Sequence, residues 1–80
     1  MKAFVLMNTE LGQEASVVEA LSHMEGVKKA YAVYGIYDVI AEIEADSMDD
    51  VRNIVFSRIR QLANVRSTVT LITYGESFVR

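Results

Sequence analysis

The sequence is marked first by what it lacks. Its 80 residues include no cysteine, no proline, no tryptophan and only one histidine. The absence of cysteine excludes disulfides and thiolate metal sites. The absence of proline means that no helix or strand is interrupted by a residue without a backbone N–H. Since His23 has no second imidazole or thiol as a partner, we expect it to favour the dipole late in the first helix, not to bind metal or catalyse.

Positive charge is also scarce, with 8 Lys+Arg against 11 Asp+Glu and a formal net charge of -3. Nucleic acids are bound largely through cationic neutralisation of phosphates, so direct nucleic-acid binding is not expected. The apolar run 3–7 is too short for a signal peptide core or a membrane span. There is no glycine-rich phosphate-binding loop. We expect a cytoplasmic protein without a cofactor that does not bind membranes.

What the chain has is a slight excess of hydrophobic residues in a short length. Residues 1–80 correspond to a single domain. A domain of this size buries only about 60–65% of its unfolded surface and is marginally stable alone. Hydrophobic residues make up 51% of the chain, slightly more than the typical ~45–50%. A subunit interface is the obvious place for the excess.

Hydrophobic patterning predicts four strands. Residues 3–7 form a continuous apolar run that is typical of a strand buried on both faces. In the second strand, alternation places Val27, Lys29, Tyr31 and Val33 on one face. The predicted strands cover residues 3–7, 27–34, 38–45 and 65–74.

Two helices are predicted between these strands. The first covers residues 13–24 and ends at Gly26, which accepts a positive φ. The second begins after Ser47, where Asp50 three residues on resembles a capping box, and Asn64 can adopt the left-handed conformation that ends it. Its apolar stripe excludes three arginines, which we interpret as a solvated helix face: Arg52, Arg58 and Arg60.

The element order β-α-β-β-α-β contains a faint internal duplication. Residues 24–29 parallel residues 62–67, and each half ends in a Tyr-Gly pair, at 34–35 and 74–75. Two right-handed βαβ units of this length predict an α+β fold, the ferredoxin-like sandwich. In that fold a four-stranded antiparallel sheet carries both helices on one face.

The sheet face away from the helices should be polar, but this sequence makes it apolar. Both residue sets of the first strand are hydrophobic, and such a patch of a few hundred Å² usually marks an interface. At about 25 cal/mol per Å², its burial adds several kcal/mol. We therefore expect a face-to-face homodimer through Phe4, Leu6, Tyr31, Ile40 and Ile72. Glu42 and Glu44 alternate with apolar residues and fit a solvated or interface edge.

Two motifs resemble a known family. Residues 35–38, Gly-Ile-Tyr-Asp, match G-x-Y/F-D at the central turn, and residues 65–70 match V-x-x-T-x-T after the second helix. Together with Gly26-Val27 they resemble the stand-alone RAM domain, the effector-binding and assembly domain of the leucine-responsive regulatory protein (Lrp)/AsnC family. The resemblance covers essentially the whole chain.

The resemblance implies a dimer joined through its sheets, like a dimeric α/β-barrel, with dimers assembled into a ring. It also implies an amino acid bound where subunits meet, by Gly35, Tyr37, Asp38, Thr68 and Thr70. Family members normally carry an N-terminal helix-turn-helix, whereas this chain begins directly on the first strand. DNA binding is therefore not expected to transfer. An effect on transcription would pass through mixed assembly with a full-length relative.

The motif residues suit a zwitterionic ligand. Asp38 can accept a charge-assisted hydrogen bond from an ammonium, and the Thr68 and Thr70 hydroxyls and the N–H groups around Gly35 can donate to a carboxylate. Tyr34 and Tyr37 can shelter an apolar side chain. A purely structural interpretation remains open: Gly35 provides a positive φ, Asp38 stabilises the turn, and the tyrosines cover the end of the sheet.

Three other functions use similar folds. An ACT-type amino-acid sensor differs mainly in the loop that holds the ligand. Dimeric α/β-barrel oxygenases and isomerases generally need a cleft His, Trp or acid–base pair, so we expect no enzyme and no catalytic residue here. An RNA-recognition motif needs basic and aromatic residues on the third strand, where residues 38–44 carry carboxylates and aliphatic side chains.

Overall fold

The computed structural model describes residues 1–80 and confirms the predicted element order. Its strands are β1 (Lys2–Thr9), β2 (Val27–Ala32), β3 (Val39–Glu44) and β4 (Val65–Ile72). Its helices are α1 (Glu14–Ser22) and α2 (Met48–Ile54). A π-helical segment, Val55–Ile59, continues α2. The last strand ends at Ile72, two residues before the predicted end. No helix has the length and apolar character needed to cross a membrane.

The four strands form one antiparallel sheet in the order β2-β3-β1-β4. Strand β1 is central, so that Leu6 lies between Ile40 of β3 and Val69 of β4. Both helices cover one face, since the buried residues of the two central strands all pack with residues of α1, α2 and the π-helical segment. This is the predicted ferredoxin-like sandwich.

The hydrophobic core lies between the helices and that face of the sheet. Burial alternates strictly along β1, with Ala3, Val5 and Met7 inaccessible to solvent and Phe4 and Leu6 only half-buried. The helices therefore cover one face of β1, not both as its apolar run predicts. The rest of the core consists of alternate residues of β3 and one stripe from each helix: Val39, Ala41, Ile43, Val17, Leu21, Val51, Ile54, Val55 and Ile59.

Local capping follows the sequence closely. The Ser47 hydroxyl accepts a hydrogen bond from the Asp50 N–H at 3.1 Å, which satisfies one of the free donors at the start of α2. Asn64 adopts a φ of +76°. Gly26 adopts a φ of +93°, and a Cβ there would lie 2.7 Å from Ile54 Cδ1. Gly26 thus provides both a left-handed residue and close packing against α2.

Strand β2 contains a β-bulge, and because of it the predicted face of one residue is wrong. Val27 pairs with Ile43 and Lys29 pairs with Glu42, so Lys28 is an extra residue in the ladder. Val27 consequently packs against the core, whereas Tyr31, which pairs with Ile40, lies on the open face. The prediction that Val27 shares a face with Lys29 and Tyr31 is wrong, because the bulge reverses the alternation between them.

The second helix widens in its last turn. The Arg60 N–H donates to the Val55 carbonyl at 2.8 Å, an i to i−5 bond that defines the π-helical turn. Val55 and Ile59 remain buried. Short π-helical turns of this kind are frequent at functional sites, and this one lies above the edge strand β4.

Candidate functional site

The open face of the sheet carries a continuous apolar strip across all four strands. Phe4 and Leu6 are half-buried at its centre, with Ile40 on one side and Val69 and Leu71 on the other. Tyr31 extends the strip at the β2 edge, where it is 54% exposed. The predicted interface residues Phe4, Leu6, Tyr31 and Ile40 therefore share one surface.

Ile72 does not belong to this strip. It pairs with Ala3, a fully buried residue of the helix-facing side, and packs against the core. Because side chains alternate along a strand, Val69 and Leu71 occupy the open face of β4 in its place. The prediction for Ile72 is wrong because both residue sets of β4 contain apolar side chains.

One ion pair borders the apolar strip. Glu42 retains 16% of its side-chain exposure, and its carboxylate lies 3.8 Å from the Lys2 ammonium. Lys29 pairs with Glu42 across the β2–β3 ladder. Two lysines, Lys2 and Lys29, thus lie beside Glu42 on this face.

The central turn projects from one end of the sheet. Tyr34, Gly35 and Ile36 are exposed, and Tyr37 and Asp38 are half-buried. Gly35 adopts a φ of +148°, and nothing lies within 4 Å of a Cβ placed there. The turn borders an open cavity of about 470 Å³, whose lining includes Glu14, Tyr34, Gly35 and Asp38 but not Tyr37.

Asp38 already has a structural partner. Its Oδ2 accepts a hydrogen bond from the Thr9 N–H at 2.9 Å, and its own N–H donates to the Met7 carbonyl at 2.9 Å. These bonds fasten the turn to the end of β1. Asp38 therefore has the role expected of a turn residue, and its carboxylate also borders the cavity beside the turn.

Thr68 and Thr70 lie on a different surface. They pair with Met7 and Val5, which places them on the helix-facing side of β4. There they border a groove of about 280 Å³ between β4 and the second helix, which comprises α2 and its π-helical continuation. The rest of the groove is formed by Met48, Val51, Arg52, Val55, Phe56, Arg60 and Ile72.

Within one chain the predicted ligand residues are therefore not brought together. Tyr34, Gly35 and Asp38 border the turn cavity, while Thr68 and Thr70 border the groove. The two regions lie toward the same end of the sheet, since Met7 pairs with Thr68 and its carbonyl accepts the Asp38 N–H.

Two arginines of the groove are missing from the predicted site. Arg52 and Arg60 border the groove on either side of Phe56, and the Arg60 guanidinium lies over the Phe56 ring at 4.8 Å from its centroid. Their sequence signal is the spacing of four residues between 52, 56 and 60, next to the buried residues 51, 55 and 59. The predicted solvated face is confirmed, since all three arginines are exposed, but the groove that Arg52 and Arg60 border was not predicted.

The two regions have opposite charge. The turn cavity is bordered by the carboxylates of Glu14 and Asp38 and by no basic residue. The groove is bordered by Arg52 and Arg60 and by no acidic residue. The first suits an ammonium and the second a carboxylate.

No group of three or more His, Asp or Glu side chains is arranged to hold a metal ion. His23 follows α1 directly, and its Nε2 lies 2.9 Å from the Glu19 carboxylate. Both side chains are about three-quarters exposed. The sequence predicts His23 inside the first helix, but the helix ends at Ser22 and His23 is its C-cap residue. Its contact with Glu19 is a surface pair.

Comparison with known proteins assigns this arrangement to a class. A family model described as the Lrp/AsnC ligand binding domain matches residues 2–78. The hypothetical protein PHS023 from Pyrococcus horikoshii has 40% sequence identity with this chain. Its crystal structure matches the fold with a TM-score of 0.86, over 94% of this chain and 90% of that chain. The fold is thus that of a small ligand-binding domain. The chain belongs to the Lrp/AsnC ligand-binding domain family, as the motifs at 35–38 and 65–70 indicate.

Two further relatives are longer proteins. The uncharacterized HTH-type transcriptional regulator PF0250 from Pyrococcus furiosus is 27% identical over 75 residues, which are 90% of this chain and 50% of that protein. The chain thus spans about half the length of this relative. The transcriptional regulator NMB0573 from Neisseria meningitidis, solved as an L-Met complex, is 14% identical with a TM-score of 0.81 over 94% of this chain and 50% of that chain. That likeness concerns the fold.

Proposed function

We propose that this chain is a non-catalytic, single-domain module that binds an amino acid and assembles into homodimers and higher oligomers. The observation that carries the proposal is the separation of charge described above. A zwitterion needs an acceptor for its ammonium and donors for its carboxylate; the charged side chains that border the turn cavity are all acidic, and those that border the groove are all basic. A site that joins the turn of one copy to the groove of another provides both.

The turn is the half of the proposed site that holds the ammonium. Asp38 supplies the negative charge, and the open space around Gly35 lets a ligand approach the backbone N–H groups. Tyr34 and Tyr37 shelter the end of the ligand that lies at the turn. Thr68 and Thr70 donate hydroxyl hydrogen bonds from the neighbouring copy. The L-Met complex of NMB0573 supports an amino acid as the ligand class.

The open face is the proposed dimer interface. Its strip of Phe4, Leu6, Tyr31 and Ile40, extended by Val69 and Leu71, is of the kind that usually marks an interaction surface. The same strip on a second copy is the partner of matching chemistry. Face-to-face pairing removes it from water and adds several kcal/mol to a domain that is marginal alone.

The proposed role is regulatory and cytoplasmic. The net charge of -3 disfavours direct contact with nucleic acid. The relative PF0250 is an HTH-type transcriptional regulator, and mixed assembly with a full-length regulator of that kind is the route by which a bound amino acid would affect transcription.

Titration calorimetry with the standard amino acids tests the proposal. For the amino acid that binds, Asp38→Asn should weaken the affinity about tenfold or more, because the variant loses a charge-assisted bond of roughly 1.5–3 kcal/mol. The asparagine keeps an oxygen that can accept the Thr9 N–H. Asp46→Asn, an exposed carboxylate outside the turn cavity, is the matched control. Absence of binding by every amino acid contradicts the ligand class, and an unchanged affinity removes Asp38 from the site.

A further inference from the structure

The groove between β4 and the second helix has an apolar floor and a polar rim. Val51 is 1% exposed and Val55 is 5% exposed, while Ile72 is half-buried on the facing strand. Phe56 is 52% exposed and stands at the rim. The volume of about 280 Å³ is just below the usual ~300–1,000 Å³ of ligand pockets. The groove thus has room for a small molecule with an apolar body.

The cations of the groove can bind a carboxylate despite their present contacts. A guanidinium has five N–H donors, so the placement of Arg60 over the Phe56 ring leaves donors for a second partner. Arg52 is 3.7 Å from the Asp49 carboxylate, with side chains that are 61% and 86% exposed. Surface pairs of this kind contribute at most about 1 kcal/mol. A ligand carboxylate can therefore displace Asp49 at little cost.

The groove offers no carboxylate that could pair with an ammonium. Its polar groups besides the arginines are the Thr68 and Thr70 hydroxyls, and no acidic side chain borders it. Hydroxyls and guanidiniums both donate to carboxylate oxygens. The lining therefore favours a ligand with a carboxylate and an apolar side chain.

We propose that Arg52 and Arg60 bind the carboxylate of the effector in this groove, with its apolar side chain against Phe56 and Ile72. The inference deepens the function proposed above, since it assigns the carboxylate half of the shared site. It also extends that function to a second ligand class. A 2-oxo acid keeps the carboxylate and side chain of an amino acid, so it binds the groove without the ammonium contact at Asp38.

Ligands that share a side chain but lack either the ammonium or the carboxylate test the two halves of the site one at a time. The probes are L-leucine, L-isoleucine, L-methionine and L-phenylalanine, the four corresponding 2-oxo acids, and the four primary amines that lack the carboxylate. Binding to the complete chain is measured by calorimetry, and the Arg52 and Arg60 Nε–H signals are followed by NMR. We expect at least one amino acid and its 2-oxo acid to bind and to shift both signals, and its amine to bind about tenfold or more weakly.

Variants of the chain then test whether Arg52 and Arg60 bind the carboxylate. Arg52→Gln with Arg60→Gln should weaken binding of the amino acid and of its 2-oxo acid about tenfold or more. Asp38→Asn should weaken only the amino acid. Arg58→Gln is the control, because Arg58 lies in the same π-helical segment but borders another cavity. Thermal unfolding of each variant verifies that the fold is retained.

The outcomes distinguish the two proposals. If an amino acid binds and the double arginine variant binds it equally well, the groove is not the carboxylate site, although the amino-acid function stands. If a 2-oxo acid binds through both arginines while no amino acid binds, the groove is confirmed and the amino-acid function fails. If no probe binds the wild-type chain, the groove proposal is wrong, and the amino-acid function fails as well when none of the other standard amino acids binds.

Discussion

The Thr9 N–H donates to the Asp38 Oδ2 at 2.9 Å, which joins the end of β1 to the turn between β2 and β3. Asp38→Ala should therefore lower the free energy of unfolding by about 1–3 kcal/mol, because a partly buried donor loses its acceptor. Asp38→Asn should recover most of that loss. Urea unfolding at a fixed protein concentration measures both variants. Equal stability of Asp38→Ala and the wild type would mean that this hydrogen bond does not hold the turn.

The proposed dimer depends on the apolar strip of the open face. Leu6→Asp should convert the assembly to monomers, because two copies of a carboxylate would be buried at the centre of the interface without a partner. Sedimentation velocity measures the mass. Leu11→Asp is the matched control, since Leu11 is 96% exposed in the loop before α1 and should leave the mass unchanged. A Leu6→Asp variant that retains the wild-type mass would contradict the proposed interface.

The sequence predicts the fold well because several levels of information agree. The alternation in β3, the N-cap at Ser47 and the left-handed residue at Asn64 all coincide with the structure. Each depends on neighbours in the chain, which the sequence contains directly. The motif at 35–38 is also found at the turn that it predicts.

What could not be predicted depends on contacts between distant residues. The bulge at Lys28 moves Val27 to the core. The choice between Leu71 and Ile72 for the open face depends on the register with β1, since both are apolar. The groove beside Arg60 exists because the edge strand leaves the π-helical turn partly uncovered, and hydrophobic periodicity does not contain that information.

The corrected face assignment in β4 predicts different effects for two adjacent residues. Ile72→Ala should lower the unfolding free energy by about 1–2 kcal/mol, because Ile72 packs against the core but is only half-buried, so the loss is smaller than for a fully buried isoleucine. Leu71→Ala should leave a lone domain little changed but weaken self-association. The two variants are compared by urea unfolding and by dilution series in sedimentation. The opposite pattern would restore Ile72 to the open face.

Gly26 packs directly against α2, and its replacement should be costly. In Gly26→Ala the new Cβ lies 2.7 Å from Ile54 Cδ1 at a φ of +93°, so the residue is strained and the buried isoleucine must move. We expect a loss of about 1–2.5 kcal/mol, since left-handed strain alone costs about 1–2 kcal/mol and the rotation of Ile54 away from the new Cβ adds a smaller amount.

Gly12→Ala separates these two contributions. Gly12 has a φ of +78°, but nothing lies within 4 Å of a Cβ at that position. Its replacement should therefore cost only the backbone strain of about 1–2 kcal/mol. Urea unfolding of both variants gives the difference, which reports the Gly26–Ile54 contact. If the two glycines cost the same, Ile54 adjusts freely, and Gly26 is required for its backbone conformation alone.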